Sequence, residues 1–134
     1  MALSEKLLGQ LNGRRIAILG LAFKKDTDDI REAASIRVID QLRKKNARVV
    51  AYDPAAIPNA KKLFADNIEF AEDSHSALKG ADCCIVMTEW DEFRKLKAED
   101  YQTQMRLPNI VDARRLYDPE DFKDMNFLAV GLGS

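Results

Sequence analysis

The sequence holds little of what metal or thiol chemistry needs. Of its 134 residues one is histidine, His75, and two are cysteines, Cys83 and Cys84. No Cys-x-x-Cys is present, so a zinc site of ordinary ligand count is not expected. The two cysteines are neighbours and would point to opposite faces of a strand, which denies them the Cβ approach of a disulfide. Flanked by Ala81, Ile85, Val86 and Met87, they read as small buried hydrophobes. His75 reads as a surface helix residue. No apolar run nears the ~20 residues that span a bilayer, and residues 1–6 lack the basic-then-apolar order of a secretion signal. Net charge is missing too: 21 Lys and Arg against 22 Asp and Glu leave −1. That removes the usual electrostatic reason for binding nucleic acid. Six glycines exclude a collagen-like repeat. The class expected from these absences is a soluble cytoplasmic domain with no nucleic-acid or membrane partner.

What is present suits one ordinary core, with 46% hydrophobic and 32% charged residues in a length typical of a single domain. Apolar runs and amphipathic stretches alternate. Residues 15–20 form a short β-branched run ending in glycine, a first strand. Residues 32–46 place Ser35, Val38, Ile39 and Leu42 at helical spacing, and Asn46 suits the left-handed position past a helix end. Residues 48–53 form a second strand closed by Pro54. A helix over 57–65 follows, then a short extra strand at 68–70. Asp73 or Ser74 caps a helix that stops at Gly80. Residues 83–88 are a continuous apolar run, as in a strand covered on both faces. One or two short helices occupy 92–104. Strands at 109–112 and 127–130 flank a helical turn at 119–124. The expected fold is α/β, a parallel sheet of about five strands with helices on both faces. Residues 1–13 read as the remnant of a connecting helix, and 14–134 as the domain.

In an open parallel sheet, ligands bind beyond the carboxyl ends of the strands, where the strand order reverses. Polar clusters follow each of the first four strands: residues 20–32, 52–54, 88–90 and 112–115. Lys24, Arg31 and Arg114 are thereby candidates to converge. The first loop departs from the Gly-x-Gly-x-x-Gly dinucleotide fingerprint, with Ala22 and Lys25 where glycines belong. Asp53 lies 33 residues past Gly20, too far along to be the acid expected about 20 residues on. The loop offers side-chain cations instead, Lys24 as a mobile point charge and Arg31 as a rigid fork. Binding of NAD by this domain alone is disfavoured. The bland readings stay open beside these: a solvated loop in which Lys24 and Lys25 face Asp26, Asp28 and Asp29, an ion pair between Asp112 and Arg114 or Arg115, and Trp90 as a packed anchor.

Five motifs occur in order: Gly20-Leu21-Ala22-Phe23-Lys24, then Thr27-Asp28-Asp29-x-Arg31-Glu32, Tyr52-Asp53-Pro54, Thr88-Glu89-Trp90-x-Glu92-Phe93 and Asp112-x-Arg114-x-Leu116-Tyr117-Asp118. Together they resemble the C-terminal, UDP-binding domain of the UDP-glucose/GDP-mannose dehydrogenase family, most of all its UDP-glucose 6-dehydrogenase branch, over about residues 14–131. The resemblance implies a Rossmann-like fold belonging to a longer NAD-dependent enzyme. Such enzymes have an N-terminal NAD-binding domain and a central helical dimerisation segment, and they oxidise a sugar C6 hydroxyl twice through a cysteine. Cys83 and Cys84 do not sit in that cysteine's motif. The resemblance further implies that Phe23, Lys24 and Arg114 contact the UDP-sugar, that Arg31 faces NAD, and that Asp28 and Glu32 shape the loop. The full-length enzyme is expected to be a homodimer.

Two departures stand out. Arg31-Glu32-Ala33-Ala34-Ser35 replaces the usual Arg-Glu-Ser-Pro, leaving the helix start less defined. Ala113 replaces a frequent glycine, and alanine resists positive φ. A free-standing nucleotide-binding regulator or scaffold is the alternative function. A receiver-like signalling domain is a third, for which the lysine expected at the end of the fifth strand is absent.

Overall fold

The computed structural model describes residues 9–31 and 33–129. Six parallel strands form one sheet in the order β3-β2-β1-β4-β5-β6. They are β1 (Arg15–Leu19), β2 (Arg48–Tyr52), β3 (Glu69–Phe70), β4 (Cys83–Val86), β5 (Asn109–Asp112) and β6 (Asn126–Ala129). The short run at 68–70 is thus a true edge strand, paired Val50 to Glu69 and Ala51 to Phe70, and it raises the count from five to six. Val130, expected in the last strand, lies outside the described residues, as do Glu32 and residues 1–8.

The helices follow the chain as α1 (Ala34–Lys44), α2 (Ile57–Phe64), α3 (Ser74–Leu78), α4 (Asp91–Arg94) and α5 (Ala98–Gln104). Single 3₁₀ turns lie at Ala65–Asn67 and Pro119–Phe122. Alternate side chains of each strand feed two separate cores. Ile16, Ile18, Val49, Ala51, Cys83 and Ile85 pack with Val38, Ile39, Leu42, Ala60 and Phe64 of α1 and α2. Ala17, Leu19, Val50, Cys84 and Val86 pack on the other face with Leu78, Phe93 and Tyr101 of α3, α4 and α5. The adjacent cysteines therefore do point to opposite faces, both fully buried. Burial pushes the Cys84 thiol well above its ordinary pKa, the state of an inert cysteine.

The ends of the helices follow local chemistry. Asp73 caps α3 by accepting from the Ser76 N–H at 2.7 Å, and Gly80 beyond it has φ +71°. Asn46 takes φ +64° just past α1, where the Ala47 N–H returns to the Leu42 carbonyl. The start of α1 is as loosely defined as its sequence implies. Ala33 stands at its N-cap with no side-chain hydrogen bond, and Ser35 instead turns its hydroxyl inward to the Leu21 carbonyl at 2.7 Å.

The strand order reverses between β1 and β4, so the loops leaving these two strands diverge at the carboxyl edge. At that point β1 ends in Gly20, φ +103°, packed against the end of β4. A Cβ on Gly20 would lie 2.6 Å from the Thr88 nitrogen and 2.3 Å from its Oγ1. Gly20→Ala is expected to destabilise the fold by about 2 kcal/mol or more, since backbone strain and steric overlap act together. Urea unfolding measures it, and the midpoint should fall with the slope unchanged.

Candidate functional site

The site is built from the loop that follows Gly20 and from the side chains that fix it. Asp53, just beyond β2 and 2% exposed, points its carboxylate back under this loop. Oδ2 accepts from the Leu21 N–H at 2.8 Å, the Ala22 N–H at 3.0 Å and the Trp90 indole N–H at 3.0 Å. Oδ1 accepts from the N–H groups of Ala55 and Ala56, each at 2.8 Å. A buried carboxylate is tolerated when hydrogen bonds satisfy it, and here five donors do so without a cation.

The other N–H groups of residues 20–23, and the carbonyls of Leu21, Ala22 and Phe23, are paired from other elements. The Gly20 N–H donates to the Tyr52 carbonyl at 2.8 Å, and the Phe23 N–H to the Asp29 carbonyl at 3.0 Å. Thr88, fully buried, donates its hydroxyl to the Ala22 carbonyl at 2.7 Å. Arg114 reaches across from the end of β5. Its Nε donates to the Met87 carbonyl at 2.7 Å and its Nη2 to the Phe23 carbonyl at 2.8 Å, while Glu89 stands 3.7 Å from Nε. Asp112, buried at the end of β5, accepts from the N–H groups of Arg114 and Tyr117. It orders the turn rather than pairing with a guanidinium.

Ala113 does not take the positive φ that the frequent glycine suggested; the left-handed residue is Arg115, φ +52°. The alanine side chain is simply buried, 1% exposed, on the apolar side of the turn. Trp90 acts as an anchor whose indole N–H is spent on Asp53. Tyr52 donates its hydroxyl to Glu92 at 2.5 Å. Burial first, and the Glu92 carboxylate second, push that phenol far above its ordinary pKa, which keeps it a donor rather than a base.

On this fixed loop Phe23 and Lys24 project outward. Phe23 is 37% exposed, and the Lys24 ammonium sits 5.3 Å from its ring centroid. Lys25 turns toward Asp91, 3.8 Å away, and its N–H meets Glu89. Of the three cations marked in the sequence, Arg114 and Lys24 are brought to one stretch of chain, joined through the Phe23 carbonyl. Arg31 belongs to a different surface, an open groove of about 530 Å³ shared with Thr27, Asp28, Asp29, Ile30 and Asn59. Its guanidinium forks onto the Asp29 carboxylate, Nη2 at 2.8 Å and Nε at 3.1 Å, and its own N–H donates there at 2.8 Å. Asn59 of α2 ties this segment down through the Asp28 carbonyl.

Sequence reasoning missed Asp53, Thr88 and Ser35 as the residues that hold the loop. Asp53 was sought as a ribose-binding acid, and the usable signal was different: a polar residue directly following an apolar strand whose neighbour strand ends in a turn. The fork from Arg31, then its backbone N–H, holds the Asp29 carboxyl down at about 2. A depressed carboxyl contributes stability above its unfolded value and loses it as pH falls toward the folded one. The Asp29–Arg31 turn should therefore survive to pH values near 2. Arg31→Ala should move the Asp29 midpoint back toward the ordinary value, although not fully, because the residue-31 N–H remains. A carbon-detected carboxyl titration reads both midpoints.

Comparison with known proteins places this geometry. A model of the UDP-glucose/GDP-mannose dehydrogenase family, UDP binding domain, matches residues 17–119. UDP-glucose 6-dehydrogenase TuaD of Bacillus subtilis is 33% identical over 127 residues, which is 95% of this chain and 28% of that protein. UDP-glucose 6-dehydrogenase AglM of Haloferax volcanii is 44% identical over 106 residues, 79% of this chain and 24% of its own length. A solved UDP-glucose dehydrogenase from the hyperthermophilic archaeon Pyrobaculum islandicum matches with a TM-score of 0.80 at 30% identity, covering 97% of this chain and 28% of that one. The chain thus spans about 28% of the length of such relatives. The matched segment runs from within β1 through β5 and includes every residue that fixes the loop after Gly20. The chain belongs to the UDP-glucose/GDP-mannose dehydrogenase family, as its UDP-binding domain.

Proposed function

We propose that this domain holds the nucleotide end of a UDP-sugar within an NAD-dependent UDP-glucose 6-dehydrogenase, which oxidises UDP-glucose to UDP-glucuronate. The observation that carries this reading is the exposed Phe23–Lys24 pair at the sheet's carboxyl edge, on a loop whose N–H groups at residues 20–23 are all bonded. A cation with no carboxylate partner, held on fixed backbone, suits a diphosphate, because the anion then gains a charged hydrogen bond without displacing another anion. Phe23 supplies an apolar surface beside it. Arg114 contributes from the other side: with Nε and Nη2 on carbonyls, its Nη1 has no protein partner among the described residues.

NAD does not fit the loop after β1. The Leu21 and Ala22 N–H groups, which a pyrophosphate would require, are taken by the Asp53 carboxylate. Placed where the nucleotide phosphates would go, that carboxylate also repels them. The cofactor is therefore assigned to another domain of the same polypeptide, with Arg31 as this domain's contact to it. The NAD-binding and central helical domains are the partners within the chain, a homodimer is the full-length assembly, and the cytoplasm is its compartment. Both cysteines are buried in the cores, where neither thiol can reach a ligand at the carboxyl edge. Oxidation chemistry is assigned elsewhere in the enzyme, and the role of these residues is to bind and orient. A free-standing nucleotide-binding module would share the same site and differ only in lacking the other domains.

Calorimetric titration of this chain tests the assignment of roles. UDP and UDP-glucose should bind, NAD⁺ should bind far more weakly, and no NADH should form from UDP-glucose and NAD⁺. A charged hydrogen bond contributes about 1.5–3 kcal/mol, so Lys24→Ala should weaken UDP roughly ten- to hundred-fold. Lys25→Ala should do much less, because that ammonium already faces Asp91. In the complete enzyme Arg31→Ala should raise KM for NAD⁺ more than KM for the sugar nucleotide. Equal small effects at Lys24 and Lys25 would leave the loop a solvated charge cluster.

A further inference from the structure

We infer that Thr88 and Trp90, at the end of β4, are positioning residues for Lys24: they set where its ammonium meets the nucleotide without touching the nucleotide themselves. The inference rests on the reading of Lys24 as a UDP contact. Among the described residues the Lys24 side chain has a ring contact but no hydrogen-bond or carboxylate partner. Its reach is therefore decided by the main chain that carries it. That main chain, residues 20–23, has all four N–H groups and three of its four carbonyls bonded, and the bonds come from several directions. Tyr52 and Asp53 hold it from β2, Ser35 from α1, Asp29 from the following segment, and Arg114 from β5.

The two bonds from the end of β4 differ from these in what the fold requires of them. Thr88 is fully buried and donates at 2.7 Å to the Ala22 carbonyl, one residue before Phe23. A valine would fill the same volume, so packing alone does not explain a hydroxyl there. Trp90 is half-buried, and a ring without an N–H would cover the same surface. Among the described residues its indole N–H is the only side-chain donor on Asp53; the other four are backbone N–H groups. What the indole adds is direction. It draws Oδ2, which also holds Leu21 and Ala22, toward the β4 loop. Both contacts thus tie the carrier of Lys24 to the strand on the far side of the switch point, across the gap where the ligand is expected. A fixed carrier matters most for a long side chain, because each degree of freedom removed from the stem is entropy not lost on binding.

Four variants of this chain test the inference: Thr88→Val, Thr88→Ser, Trp90→Phe, and Thr88→Val combined with Lys24→Ala. Each is titrated calorimetrically with UDP at one fixed ionic strength, at a temperature where circular dichroism shows it folded, and its melting temperature is recorded separately. Thr88→Val, which removes a neutral hydrogen bond, and Trp90→Phe, which removes one to a carboxylate, should each weaken UDP about three- to tenfold. Thr88→Ser should return to within about twofold of the unsubstituted chain, because it restores the donor. In the Lys24→Ala background, Thr88→Val should change the affinity no further, since its effect passes through the missing ammonium. A purely structural role predicts otherwise: melting temperatures fall while UDP affinity of the folded protein is unchanged, or the Thr88→Val effect is as large without Lys24 as with it. Either result overturns the inference. Failure of the unsubstituted chain to bind UDP would overturn the site reading itself, and this inference with it.

Discussion

One buried carboxylate organises the carboxyl edge of this sheet. Asp53 collects five N–H groups from three stretches of chain: the loop after β1, the turn into α2, and the segment after β4. An unpaired charge at 2% exposure would be strongly destabilising, so these donors must stay where they are for the fold to persist. The constraint runs both ways. Because the donors are fixed by the charge, the loop after β1 is rigid. Because the loop's amides are already occupied, it does not serve as the phosphate cradle that the same topology forms when glycines line that turn. A single residue both stiffens the site and selects what kind of ligand contact the site can make.

The opposite edge of the sheet is braced by the same device with a different outcome. Asp82, 4% exposed at the start of β4, accepts from the Arg15 N–H at 2.9 Å and from the Arg106 Nε at 2.6 Å. Its carbonyl accepts from Asn109, which in turn accepts from Asn126. This network stitches β1, β4, β5 and β6 at their amino ends, and the Arg106 cation completes it. At the carboxyl edge no cation neutralises Asp53; the neighbouring cations, Lys24 and Arg114, stay at the surface. The sheet is held at both ends by a buried carboxylate, with a cation among its donors at the amino end and N–H groups alone at the other.

Much of this fold is legible in the sequence because it rests on periodic patterns. The apolar run over Cys83–Val86, the helical spacing of Val38, Ile39 and Leu42, the Asp73 cap and the left-handed Asn46 all follow from local rules, and the structure bears them out. The family resemblance is borne out as well, over residues 17–119. What local rules do not carry is the set of side-chain to backbone bonds between distant segments. Asp53 to Leu21 spans 32 residues and Arg114 to Phe23 spans 91, and neither leaves a trace in periodicity. The turn after β5 agrees with the resistance of alanine to positive φ: Ala113 avoids it, and the chain takes it two residues later at the exposed Arg115.

The cations at this edge then divide by what they already hold. Arg31 is forked onto Asp29, so an incoming phosphate must share or replace a carboxylate there. Exchanging one anion for another returns little net electrostatic energy, and the Arg31 side chain, 88% exposed, is screened by water. Arg114 spends two donors on carbonyls, which fixes its plane, and Glu89 stands 3.7 Å from its Nε, so its charge is already partly offset. Lys24 rests only against the ring of Phe23, a contact worth about 0.5–1 kcal/mol at an exposed site. A phosphate displaces nothing from it and need not break the ring contact, because an ammonium has three donors and can keep its methylene stem on the aromatic face. The strength of an anion site at this edge is therefore set less by the number of cations than by how few of them are already neutralised, and on that measure Lys24 stands first.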